Sequence, residues 1–214
     1  KSKANFNSYK VKKILNDIKK NGDAAILKYE KKFSKNYKII SKSKQIQRQI
    51  RSLDKKVKNS IDLSFNRILK FHLKQKVKNI YYKDKLKNKL NYKYIPLESV
   101  GIYVPGGTAA YPSTVLMNAI PALIAGVKRI VMVNPAYNGK QNAGVLYAAK
   151  KCGVKEIYSI GGAQAIAALS YGTKKIKKVN KIIGPGNFYV TAAKKEIFGE
   201  TGIDMIAGPS EITV

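Results

Sequence analysis

The sequence predicts an α/β protein: a mostly helical N-terminal region over residues 1–98, then a domain built on a parallel sheet over residues 99–214. Three observations carry this. Apolar residues in the first eighty positions recur at helical spacing. From residue 99 short apolar strands alternate with helices, and each helix ends on a glycine. Glycine turns follow the strands at Gly106-Gly107, Gly161-Gly162, Gly184-Pro185-Gly186 and Gly208-Pro209.

Val11, Ile14, Leu15 and Ile18 make one helical stripe, and Gly22 stops that helix. Asp23 can cap a second helix, which carries Ala25, Leu27 and Phe33. Ile61, Phe65, Ile68, Leu69 and His72 share one face of a third. Residues 79–98 read as two short strands, Ile80-Tyr81-Tyr82 and Tyr92-Lys93-Tyr94-Ile95, joined by a lysine-rich turn.

A strand at 100–104 then leads through a glycine turn to a helix at about 113–125. Ser113 is its expected N-cap, Pro121 an expected kink and Gly126 its left-handed stop. Strand 129–133, helix 140–151 with its stop at Gly153, and strand 156–160 follow. Next come helix 162–171, ended by Gly172, strand 181–183, helix 187–198 and a last strand starting near Ile203. Residues 125–130 (Ala-Gly-Val-Lys-Arg-Ile) resemble residues 152–157 (Cys-Gly-Val-Lys-Glu-Ile), each a helix end, a glycine stop and a strand start. Strands alternating with helices of this length imply right-handed crossovers and a parallel sheet.

Composition removes several classes. One cysteine, Cys152, excludes a disulfide framework and fits a reducing, cytoplasmic compartment. The longest apolar stretch, 115–127, is too short for a membrane span and contains Asn118 and Pro121. The first residues form no signal-peptide core, and the last, Ile212-Thr213-Val214, read as mid-strand, as in a fragment. The net charge is +30, and residues 1–100 hold 29 of the 42 Lys+Arg against 7 of the 12 Asp+Glu. That surplus admits a basic nucleic-acid-binding module. The preferred reading is a coding bias toward Lys, Asn and Ile, with nucleic acid not expected as a partner, because the lysines surround the helices without forming one stripe and no nucleic-acid motif accompanies them.

Side chains able to do chemistry are few. The single histidine, His72, sits on an apolar helical stripe, and Cys152 lies at a helix end without a histidine nearby in sequence. Neither a metal-ligand cluster nor paired carboxylates can be read from the spacing, and the Gly-x-Gly-x-x-Gly fingerprint is absent. The promising positions stand beside the glycine turns. Tyr103 can stack on or hydrogen-bond a ligand, Gln164 offers donor and acceptor at a helix start, and Ser210 offers a hydroxyl. Asn187 fronts a helix whose positive dipole end faces the turn. Several such turns at strand ends are what a nucleotide crevice requires.

Four segments resemble the histidinol dehydrogenase family: residues 100–117 (Val-Gly-Ile-Tyr-Val-Pro-Gly-Gly-Thr-Ala-Ala-Tyr-Pro-Ser-Thr-Val-Leu-Met), 161–169 (Gly-Gly-Ala-Gln-Ala-Ile-Ala-Ala-Leu), 181–187 (Lys-Ile-Ile-Gly-Pro-Gly-Asn) and 203–211 (Ile-Asp-Met-Ile-Ala-Gly-Pro-Ser-Glu). Residues 21–25 and Phe71-His72 match its N-terminal helical region more loosely. The resemblance implies incomplete Rossmann-like sheet domains, the first of them NAD-binding over 99–214, and a helical region completed downstream. It implies oxidation of L-histidinol to L-histidine through L-histidinal, with two hydride transfers to NAD, in a zinc-dependent homodimer. Carried over by motif, Tyr103, Gln164 and Asn187 are expected to contact NAD, and Ser210 the substrate. The zinc ligands and the catalytic histidine and glutamate are expected after Val214, so these 214 residues alone are expected to be inactive. A basic nucleic-acid-binding module or a non-catalytic nucleotide-binding fragment remains the alternative.

Overall fold

The computed structural model describes residues 3–41, 43–107 and 109–206. Three helices come first: α1 (Lys3–Ser34), α2 (Ser43–Arg51) and α3 (Lys55–Lys74). A hairpin follows, β1 (Ile80–Lys83) and β2 (Lys89–Tyr92). The remainder alternates: β3 (Ser99–Tyr103), α4 (Pro112–Ile124), β4 (Arg129–Val133), α5 (Ala143–Lys151), β5 (Glu156–Tyr158), α6 (Gly162–Tyr171), β6 (Lys181–Ile183), α7 (Phe188–Ile197) and β7 (Gly202–Ile203). Five strands pair in parallel in the order β5-β4-β3-β6-β7. The chain thus winds outward from β3 to β5, then crosses back to lay β6 on the other side of β3. The α/β class, with helices preceding a parallel sheet, is the one the sequence predicts.

Strand periodicity decides what each face buries. Val100, Ile102, Ile130 and Met132 point to one side, into a cluster with Val115, Leu116, Ile120 and Leu146 of α4 and α5. Tyr103, Val131 and Val133 point to the other, where Ile14, Ile18 and Ile26 of α1 pack with Ile166 and Leu169 of α6 and Val190 of α7. Helix α3 sits on α4 and α5, α2 on α5, and α1 on α6 and α7. The helical region therefore packs on the outside of the two helix layers that cover the sheet.

Gly22 breaks α1, with φ 52° and ψ −127°, where the sequence places a helix stop. A staple crosses the break: the Asp17 carboxylate accepts from Asn21 Nδ2 (2.7 Å), Lys28 Nζ (2.9 Å) and Tyr29 Oη (2.9 Å). The Asp23 carboxylate accepts from the Thr173 hydroxyl, fastening the break to the loop after α6. The buried face beyond the break is Ala25, Ile26, Tyr29 and Glu30, while Phe33 is exposed and stacks on Tyr29. Phe33 shares that stripe by spacing and lies one residue from the end of α1.

Four other expectations are corrected. The hairpin's second strand is 89–92, not 92–95, because the Asp84 carboxylate accepts the Asn88 N–H (2.8 Å) and closes the turn early. Helix α4 is preceded by Tyr111 at the N-cap with Pro112 in its first turn, not capped by Ser113; proline fits there because the first-turn N–H has no helical partner. Helix α5 starts at 143, where Asn142 Oδ1 accepts from Gly144 (2.8 Å) and Val145 (3.3 Å). Strand β5 ends at Tyr158, two residues early, because Ser159 N turns away to bond Ile39 O (2.7 Å).

The repeated segments are twin helix stops. Gly126 (φ 88°) and Gly153 (φ 69°) are left-handed. Val127 N reaches Ala122 O and Val154 N reaches Ala149 O, both at 3.0 Å, and Gly126 N and Gly153 N reach back to Leu123 O and Lys150 O. This is the Schellman arrangement twice, feeding adjacent strands. Where the copies differ in charge, Arg129 and Glu156, they form a bidentate pair at 2.8 and 2.9 Å that ties β4 to β5.

Candidate cofactor site

An open parallel sheet has its crevice outside the C-terminal ends of the two strands where the winding reverses. Here those are β3 and β6, followed by the turns 104–107 and 184–187. The turn after β5, at 161–162, abuts them through Tyr103. The fourth glycine turn and Ser210 lie outside the described residues.

Tyr103, the last residue of β3, joins the three turns. Its main chain lies against Gly184, where an added Cβ would stand 2.2 Å from the Tyr103 carbonyl oxygen; with φ at 109°, residue 184 is restricted to glycine. Its side chain is buried, and its hydroxyl accepts from Gly162 N (3.1 Å), one of the unpaired donors at the start of α6. Burial pushes this phenol up to about 12, the Gly162 bond acts the other way, and the Glu30 carboxyl adds to the rise.

Gln164, in the first turn of α6, is buried and donates through Nε2 to Glu30 Oε1 (2.8 Å). Gly161 N donates to the same oxygen (2.9 Å). Glu30 comes from α1, is fully buried, and its Oε2 has no hydrogen-bond partner among the described residues. Burial raises its carboxyl above the usual range against the opposing effect of these hydrogen bonds.

Asn187 is exposed and caps α7, its Oδ1 accepting from Val190 N (3.2 Å). The turn before it is fastened from below by Lys194, whose side chain is 4% exposed. Its Nζ donates to Gly184 O and to Asp204 Oδ1 (2.6 Å), and Asp204 Oδ2 accepts from Gly184 N (2.8 Å). Both main-chain polar groups of Gly184 are thus satisfied from outside the turn.

The structure brings Tyr103 and Gln164 together at the start of α6 and places Asn187 at the start of α7. The Tyr103 hydroxyl is turned inward, not outward for stacking. Sequence reasoning missed Glu30 and Lys194. Each falls on an apolar stripe, Glu30 beside Ile26 and Tyr29, Lys194 between Val190 and Ile197, and a charge on a buried stripe is the signal that finds them.

The other candidates are structural. Cys152 is buried, and burial pushes its thiol up to about 12. His72 is half-buried with Nδ1 2.6 Å from Gln75 Oε1, beside an open groove of about 780 Å³ between α3, the hairpin and α4. Among the described residues no three His, Cys, Asp or Glu side chains gather where a metal would be held. No described helix is long and apolar enough to cross a membrane.

A parallel sheet whose strand order reverses at β3/β6, with a capped helix start beside that reversal, defines a doubly wound α/β unit. Comparison with known proteins narrows this: the histidinol dehydrogenase family model matches residues 1–214, and the chain belongs to that family. It is 69% identical over 215 residues to the histidinol dehydrogenase of Pelagibacter ubique, covering 100% of this chain and 50% of that protein. It is 50% identical over 208 residues to that of Agrobacterium fabrum, covering 95% and 48%. The crystal structure of histidinol dehydrogenase from Elizabethkingia anophelis superposes with a TM-score of 0.90 at 41% identity, covering 94% of this chain and 47% of that one. The chain spans about half the length of the relatives it matches.

Proposed function

We propose that residues 99–214 form the NAD-binding unit of an enzyme that oxidises L-histidinol to L-histidine through L-histidinal. The observation that carries this is the crevice at the β3/β6 reversal, where three glycine turns meet and the start of α7 faces outward. The fit to a dinucleotide is good. The start of α7 favours an anionic pyrophosphate, and Asn187 stands at its rim. Glycine at 184 and 186 lets the turn pack closely, since an added Cβ would meet the Tyr103 main chain at one and the Val190 side chain at the other. NAD, when bound, accepts a hydride in each of the two oxidations.

The described residues bind and orient. Lys194 and Asp204 hold the 184–187 turn, Tyr103 holds the 161–162 turn, and Glu30 holds Gln164. Each alcohol or hydrate oxidation also needs a base to take the hydroxyl proton. The acids at the crevice are already committed, Glu30 inside the core and Asp204 to Lys194. We therefore assign the base, like the zinc ligands, to residues outside the described set, and Ser210 to the substrate. A zinc site does not fit the described residues, so they carry no metal-dependent step. We further place the protein in the cytoplasm as a homodimer, and residues 1–98 in a domain completed by later sequence. The test is NADH formation by the purified full-length protein given L-histidinol, NAD and zinc. Two NADH per histidinol are expected, and their absence would refute the reading.

A further inference from the structure

We propose that Glu30 is a positioning residue for this crevice, whose carboxyl fixes the orientation of the Gln164 amide so that Gln164 accepts a hydrogen bond from the ligand. This rests on the reading of Gln164 as a cofactor contact.

A free glutamine amide reads poorly, because its oxygen and nitrogen can exchange places by a half-turn about one bond. Glu30 removes that freedom. Its Oε1 already accepts the Gly161 N–H at 2.9 Å, so what meets it from Gln164 must be the donor, Nε2, at 2.8 Å. The amide is planar, and Oε1 is therefore turned away from Glu30. It lies over Gly162: a Cβ added there would stand 2.8 Å from Gln164 Oε1. Gly162 is half-exposed in the turn that bonds Tyr103, so this oxygen lies against the part-exposed residue of the α6 start, although Gln164 as a whole is 3% exposed. The group presented is an acceptor. On a dinucleotide the matching donors are ribose hydroxyls, the carboxamide NH2 and the adenine 6-amino group, while phosphate oxygens and ring nitrogens are refused.

The second oxygen of Glu30 argues that stability is not the reason for the carboxyl. Oε2 is fully buried and, although the Ser34 and Asn36 side chains lie close enough to act on this carboxyl, it has no hydrogen-bond partner among the described residues, an arrangement that costs stability. A residue serving only to cap α6 would satisfy Gly161 N from the surface, as Asn142 and Asn187 do for α5 and α7. Here the acceptor is supplied from 131 residues away, and the same atom takes the Gln164 amide.

The experiment uses full-length protein, with NAD and with 2′- and 3′-deoxyribose, nicotinic-acid and hypoxanthine forms of NAD, each lacking one candidate donor. Loss of one fixed buried hydrogen bond corresponds to about 10-fold, so Glu30→Met should raise the KM for NAD by about that factor while kcat and the KM for histidinol change far less. At least one donor-lacking form should bind wild type worse than NAD does, and Glu30→Met should erase that difference. Glu30→Gln, which keeps an acceptor at Oε1, should restore most of it. If Glu30→Met does not fold, Gly162→Ala displaces the Gln164 oxygen without touching Glu30 and should erase the difference too. Unaltered discrimination in variants that fold would overturn the proposal, leaving Glu30 as a cap. In that case Gln164→Ala still weakens NAD binding if the cofactor reading is right. Should Gln164→Ala bind NAD as wild type does, the cofactor reading of Gln164 fails and this proposal with it.

Discussion

Lys194 shows what one buried charge does for the crevice. Its ammonium has left water for one carboxylate and one carbonyl, so the gain lies in fixing Gly184 more than in net stability. Lys194→Met leaves Asp204 without its partner and should cost about 1–3 kcal/mol by urea unfolding. It should also speed amide exchange at the start of α7. Double substitution with Asp204→Asn should recover part of the loss, because the uncompensated carboxylate is then gone. Glu30 has a pH signature of its own. Its folded-state carboxyl titrates above the usual range, so its contribution is complete in acid and lost as pH rises through the raised value. Glu30→Gln should match wild type near pH 4 and exceed it in stability at pH 8. Tyr103, Gln164 and Asn187 were legible because each stands beside a glycine turn. Glu30 was missed: its place on the stripe of Ile26 and Tyr29 marks it as buried, but its partner is 134 residues away and no local pattern names it.

Among the elements, α1 is the one held in shape by a side chain. The Asp17 carboxylate bridges the Gly22 break, and its bonds from Asn21, Lys28 and Tyr29 hold it down to about 2. A lowered carboxylate stabilises above its unfolded value and loses that contribution as pH falls through the folded one. Asp17→Asn should therefore cost about 1–2 kcal/mol at neutral pH, with the gap to wild type closing between about pH 4 and pH 2. Chemical denaturation at stepped pH checks this. Helix stops were the most readable feature, since Gly126 and Gly153 do locally what any left-handed cap must. Strand ends and the hairpin register were less so. They depend on Ile39 taking Ser159 N and on Asp84 taking Asn88 N, contacts that apolar spacing does not encode.

For the whole molecule, strands alternating with helices foretold a parallel sheet, but not which segments would pack over α4 to α7. That the N-terminal helices do so follows from matching apolar stripes and not from any local signal. The 214 residues alone should bind NAD yet give no sustained NADH with histidinol and zinc, whereas the full-length protein should turn over; continuous absorbance of NADH distinguishes the two. The net charge of +30 should bring DNA binding that weakens steeply with salt and is indifferent to base sequence. A filter-binding series over salt, using unrelated duplexes, tests it.

The seating of α1 on α6 has a consequence during synthesis. At about 5–20 residues per second, the 131 residues between Glu30 and Gly161 take roughly 7–26 s to translate. Throughout that interval the stripe of Val11, Ile14, Leu15 and Ile18 has emerged from the ribosome while the surface that buries it does not yet exist. The lysines flanking that stripe keep the nascent helix in solution while it waits.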